Sequence, residues 1–173
     1  ADIITSAPDT ICQGKTAILN VELPATATTN NRVFENTTTL ATTPQTTVVS
    51  TLNITNMCPS NITAANIESI RLNLSQNLVS HLSITLIAPS GERLQLMNYN
   101  GGFFTTALND VLFTPSATTA VSSYTSSAIP ANAVVRPSGN FGVLDGASAN
   151  GEWKLEITHN TASSLGGRAG TLN

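Results

Sequence analysis

Residues 67–96, IESIRLNLSQNLVSHLSITLIAPSGERLQL, decide the fold. Ile70, Leu72 and Leu74 alternate with Arg71, Asn73 and Ser75. A period of two puts the aliphatic side chains on one face of a strand and the polar ones on the other. Residues 77–80 break the pattern, after which Leu82, Ile84 and Leu86 alternate with Ser83 and Thr85. Pro89-Ser90-Gly91 ends this second strand, because proline lacks an amide donor and glycine accepts positive φ. Residues 92–97 alternate again, with Leu94 and Leu96 inward. A connection this short joins only neighbouring antiparallel strands.

Outward from this stretch the chain stays β-like. Ala17, Leu19, Val21 and Leu23 alternate with Ile18, Asn20 and Glu22 until Pro24, which predicts a strand over residues 16–23. Residues 25–47 are rich in Thr, Ala and Asn and contain Pro44, as expected of a weak edge strand around residues 32–40 plus loop. Val48, Val49, Leu52 and Ile54 mark a further strand over residues 46–55, and residues 56–61, with Cys58 and Pro59, form a turn cluster. Downstream, residues 115–130 are Ser, Thr and Ala with few large apolar residues beyond Val121, Tyr124 and Ile129, which reads as surface loop. Trp153, Leu155 and Ile157 alternate with Glu152, Lys154, Glu156 and Thr158, placing the only Trp on a buried face. No segment sustains helical apolar spacing, so the fold class is all-β.

The order of these pieces resembles a known family. The run I-x-S-I-x-L-N-L-S, then L-x-I-T-L-I-A-P-S-G-x-x-x-x-L, is followed by Gly101-Gly102, by Leu108-Asn109-Asp110-Val111-Leu112-Phe113, by Arg136-Pro137 and by Gly151-Glu152-Trp153-Lys154-Leu155-Glu156-Ile157. It looks like the P domain, also called the Homo B domain, which follows the catalytic domain in proprotein convertases and many bacterial subtilisin-like peptidases. The resemblance covers roughly residues 67–172. It implies a jelly-roll-like sandwich of two antiparallel sheets, with a short strand over residues 111–114 that carries Phe113 into the core. It also implies one more strand after the Gly170-Thr171-Leu172 run, which this sequence ends without. The expected organisation is a Thr-rich β extension over residues 1–60, packed on or linked to a P-domain-like sandwich over residues 61–173. Leu72, Leu74, Leu82, Ile84, Leu86, Leu94, Leu96, Phe113, Trp153, Leu155 and Ile157 are its expected core.

Composition narrows the function. Only 10% of the 173 residues are charged and the formal net charge is -3, so the clustered Lys and Arg of a nucleic-acid footprint are lacking. No apolar run is long enough to span a bilayer as a helix. Low charge with abundant Thr, Ser and Asn suits an extracellular all-β protein, secreted or at the cell surface, whose leader is expected to have been removed. The N-x-S/T triplets at Asn36, Asn53, Asn61 and Asn73 arise readily in such a composition and matter only in a eukaryotic host. Cys12 and Cys58 are the only cysteines, and in that setting they are expected to form one disulfide.

A hydrolytic triad needs a nucleophile, a His base and an orienting acid. His81 and His159 are the only histidines, no G-x-S-x-G elbow occurs, and neither His has a recognisable nucleophile beside it. Catalysis is therefore not expected. Calcium is the candidate cofactor, because Asp and Asn in loops supply the hard oxygen ligands it takes. Asn109 with Asp110, and separately Asp145 with Asn150, are the candidate ligands; the alternative is that the aspartates cap turns. Against the family pattern, His81 stands where an Asp commonly precedes the second strand, and Thr158 or His159 and Arg168 stand at later Asp positions. The expected function is a non-catalytic accessory module that stabilises or docks neighbouring domains. The alternative is a self-assembling extracellular structural subunit that pairs identical chains by strand exchange at an open sheet edge.

Overall fold

A computed structural model describes residues 32–43, 45–75, 81–98, 107–124, 128–159 and 170–172. The strand expected over residues 16–23, Cys12, Gly101-Gly102 and Arg168 lie outside them. Nine strands occur in chain order: β1 (Leu40–Thr42), β2 (Thr47–Ile54), β3 (Ile70–Ser75), β4 (Leu82–Ile87), β5 (Arg93–Asn98), β6 (Ala107–Phe113), β7 (Val134–Val135), β8 (Gly151–His159) and β9 (Gly170–Leu172). They form a five-stranded sheet in the order β1-β9-β3-β6-β7 and a four-stranded sheet in the order β2-β8-β4-β5. The all-β sandwich is borne out. Every pairing is antiparallel except β6 with β7, so the five-stranded sheet is mixed where two antiparallel sheets were expected.

The alternation in residues 67–96 becomes β3, β4 and β5 with the inner faces foreseen. Leu72, Leu74, Leu82, Ile84, Leu94 and Leu96 are buried, joined by Phe113, Trp153 and Ile157, whereas Leu86 and Leu155 pair with each other inward but stay half-buried. The β4–β5 hairpin carries a bulge. Ile84 faces Met97 while Thr85 faces Gln95, so Leu96 is the extra residue and both Leu96 and Met97 point into the core. The Gln95 amide fills the bulge, donating to Ser83 Oγ (3.0 Å), to the Ile84 carbonyl (3.1 Å) and to the Met97 carbonyl (2.7 Å).

Residues read as an N-terminal extension are integral to both sheets. β2 pairs with β8 over eight residues, from Thr47 opposite Thr158 to Ile54 opposite Gly151. β1 forms an edge of the five-stranded sheet, beside β9. Residues 32–39 form no strand; they run along the outer edge of β2, where the Asn36 side chain donates to Ser50 Oγ (3.1 Å) and the Thr51 carbonyl (2.8 Å). The Gly170–Leu172 run is itself a strand, lodged between β1 and β3.

The described residues of 115–130 depart from the surface-loop expectation. Val121 is wholly buried in a 3₁₀ turn (Val121–Ser123) and Ile129 is buried nearby. Val121 N–H donates to the Arg136 carbonyl (2.8 Å) and Arg136 N–H to the Thr119 carbonyl (2.7 Å), so the loop is stitched to the strand end at Arg136-Pro137 and carries two core anchors. The strand foreseen over residues 111–114 is longer, starting at Ala107.

Candidate functional site

At one end of the sandwich three connections meet: residues 57–66 after β2, the Pro89-Ser90-Gly91 turn, and residues 139–150 before β8. Backbone bonds zip the first to the third, from Ile62 N–H to the Ala147 carbonyl (2.9 Å), Gly146 N–H to the Ile62 carbonyl (2.8 Å) and Ala149 N–H to the Ser60 carbonyl (2.7 Å). Side chains complete the join. Ser90 Oγ accepts from Ser148 N–H (2.8 Å), Asn61 Nδ2 donates to the Gly146 carbonyl (3.0 Å), and Trp153 Nε1 donates to the Ala149 carbonyl (3.0 Å). Beneath them Phe141, Leu144, Ala147 and Ala149 are buried. The P-S-G turn and the G-E-W strand, far apart in sequence, therefore touch. At Gly151, whose φ is +124°, a Cβ would lie 2.8 Å from Pro89 Cβ, so the approach requires glycine there.

The candidate calcium ligands fall on this end and on β6. Asp145 Oδ1 accepts from Ala64 N–H at 2.6 Å, capping the 3₁₀ turn Ala64–Asn66 from across the loop. Asn150 holds both backbone polar groups of one residue: Oδ1 accepts from Met57 N–H (2.7 Å) and Nδ2 donates to the Met57 carbonyl (2.9 Å). The Asp145 carboxylate thus accepts a backbone bond at the start of the Ala64–Asn66 turn.

Asn109 and Asp110 form a second bulge. Leu72 faces Val111 and Leu74 faces Leu108, so both residues stand opposite the single Asn73, with Asp110 at φ +50°. Asn73 answers in both directions, its Oδ1 accepting from Asp110 N–H (2.8 Å) and its Nδ2 donating to Asp110 Oδ1 (2.9 Å). Arg71 approaches the same oxygen at 3.4 Å. The Asn73 bond above all, with the Arg71 charge adding to it, holds the Asp110 carboxyl below the usual aspartate range. Asn109 is exposed and its carbonyl accepts from Asn132 N–H (2.9 Å). Among the described residues no three His, Cys, Asp or Glu side chains converge as a metal centre would need.

In the sequence Asn36 and Asn61 stand out as N-x-S/T triplets and Asn73 also as an outward polar residue of a strand; the structure uses all three amides to tie the backbone or a bulge together. Only their positions, Asn36 beside Ser50 and Thr51, Asn61 beside Gly146 and Asn73 opposite Asp110, could have revealed this, and those are tertiary. Cys58 is exposed in the turn after β2. Its expected partner Cys12 is outside the described residues. His159 is buried at the end of β8, and among the described residues neither of its ring nitrogens has a hydrogen-bond partner. Among the described residues no helix is long and apolar enough to cross a membrane.

No curated protein matches the chain. Residues 67–172, more than half of it, match the family described as the proprotein convertase P-domain. The matched span begins just before β3 and runs through β9, taking in the P-S-G turn, the Asp110 bulge and the Trp153 strand. The chain belongs to the proprotein convertase P-domain family.

Proposed function

We propose that this chain is a non-catalytic accessory module of a secreted or cell-surface protein, stabilising or docking a neighbouring catalytic domain of the subtilisin-like peptidase type. The family match over residues 67–172 carries the reading. The internal bonding at the loop end supports it. Asp145, Asn150, Ser90 and Ser148 direct their side chains at the protein's own backbone or at each other, which suits a rigid module and leaves no convergent set of free groups there for chemistry. The Cys12–Cys58 disulfide belongs to the same proposal, as a clamp on residues preceding β3 in an oxidising location.

The test is made on the full polypeptide encoded with this sequence. Deleting the module is expected to lower the melting temperature of the domain preceding it, and the separately added module to restore part of that loss. A reading frame encoding only this domain after a leader, or a neighbour that melts identically without it, would remove the accessory role. Ordered oligomers of the isolated chain in light scattering would redirect the function to self-assembly. Intact mass before and after reduction and alkylation reads the disulfide directly.

A further inference from the structure

His159 is the last residue of β8 and it ties three segments together. It pairs with Leu82 of β4, and its N–H donates to the Thr46 carbonyl just ahead of β2 (2.9 Å). Its ring continues the inward series of Trp153, Leu155 and Ile157 and is only 1% exposed. Among the described residues neither Nδ1 nor Nε2 meets a hydrogen-bond partner. Buried imidazole ordinarily satisfies at least one nitrogen; here the ring acts as a packing group at the end of the inward series.

Among the described residues nothing beside the ring would pair with a cation. β1, β2, β4 and β9 contain no ionisable residue. Arg93 of β5 is paired with Glu156. Glu152 and Lys154 of β8 pair with each other on the opposite, outer face, and Arg71 of β3 pairs with Asp110 of β6. Among the described residues, the ionisable group that reaches the ring is His81, edge-on with ring centroids 6.3 Å apart and planes at 67°. His81 can only add like charge.

We infer that the β4–β8 end of the sandwich is an acid-sensitive latch, closed while His159 is neutral and opened when that ring takes a proton. Burial first, and the His81 charge second, hold the His159 pKa below the ordinary histidine value. The unfolded chain, with an ordinary histidine pKa of about 6.5, therefore binds a proton before the folded one does. Stability is complete above about pH 6.5 and falls as pH drops toward and through the folded value. The strands that loosen are the ends His159 joins, so the opening begins at β8 and β4 and spares the loop end around Asn150. A module so built is firm at neutral pH and gives way in a mildly acidic compartment.

The chain has two histidines, so proton NMR of the full-length protein resolves both rings. The expected result is a His159 resonance that stays in its neutral position through the ordinary histidine range. Amide exchange at Ile157, His159 and Ile84, corrected for its intrinsic pH dependence, is expected to accelerate as pH falls from about 7 to about 5. In His159→Phe, which keeps an aromatic plug without a titrating nitrogen, the acid-dependent drop in melting temperature across that range is expected to disappear. A His159 ring that titrates in the ordinary range with the fold intact would overturn the latch. So would a His159→Phe protein with the wild-type acid dependence. Should His159→Phe fail to fold, the wild-type titration and exchange profile decide alone.

Discussion

Asp110 shows how one carboxylate is committed by its setting. The bulge puts it at positive φ, a conformation Asp tolerates better than most residues, and Asn73 bonds both its amide and its carboxylate. Its pKa is depressed mainly by the Asn73 bond, so the stability it adds is present above the unfolded aspartate value and lost as pH falls through the folded one. Asn73→Ala is therefore expected to melt lower than wild type at neutral pH, with the gap narrowing in acid as the carboxylate protonates in both proteins. Thermal melts across an acid series measure this. Because one oxygen of each carboxylate, Asp110 Oδ1 and Asp145 Oδ1, already accepts a bond from Asn73 or Ala64, excess chelator is expected to leave the melting temperature unmoved to within about 1 °C. A larger fall would assign those oxygens to a bound cation instead. Gly151 is the other constrained position. Gly151→Ala meets both an unfavourable φ and a Cβ contact with Pro89, and is expected to cost about 1–3 kcal/mol in a urea titration.

Between elements, the stabilising work falls on side chains that replace missing backbone pairing. Asn150 binds the Met57 amide and carbonyl as a neighbouring strand would, docking the turn after β2 onto the segment entering β8. Asn150→Ala leaves both groups to find water and is expected to cost about 1–3 kcal/mol. Its signature is faster protease cleavage near Met57 under native conditions, with β4 and β5 unaffected. The strands themselves were legible from alternation, because Leu72, Leu74, Leu82, Ile84 and Leu94 lie on unbroken two-residue repeats. Alternation fails where the backbone inserts a residue. Met97 reads as outward beside Leu96, yet the bulge opposite Ile84 and Thr85 turns both inward. Val121 and Ile129 escaped for a different reason: each is a single apolar anchor among Ser, Thr and Ala, and one residue has no period. The candidate ligands were recognised by residue type, and what decides their role is the amide or side chain opposite each, Ala64, Met57 or Asn73, brought there by tertiary packing.

At the scale of the whole molecule, the sandwich is larger than the matched family span. Residues 67–172 contain seven of the nine strands, but the edge of the four-stranded sheet beside β8 is supplied by β2, from outside that span. β2 covers all nine residues of β8 but one, and its Val48, Leu52 and Ile54 pack on the core next to Trp153. A protein beginning at residue 67 would leave β8 as an edge nine residues long, alternating Trp153, Leu155 and Ile157 on one side, with its hydrogen-bonding groups unpaired. Long exposed edges of this kind recruit other chains. The inner sides of Val48, Leu52 and Ile54 would be lost together, each a partial large-to-small deletion of about 1 kcal/mol or more. Truncation at residue 67 is thus expected to yield a chain that aggregates, or that melts at least about 10 °C below one beginning at residue 32. Size-exclusion light scattering and a thermal melt of the two proteins side by side measure it. If the shorter protein were monomeric with an unchanged melting temperature, β1 and β2 would be ornaments on a self-sufficient seven-stranded core; the eight-residue β2–β8 ladder says instead that the folding unit starts upstream of the family match.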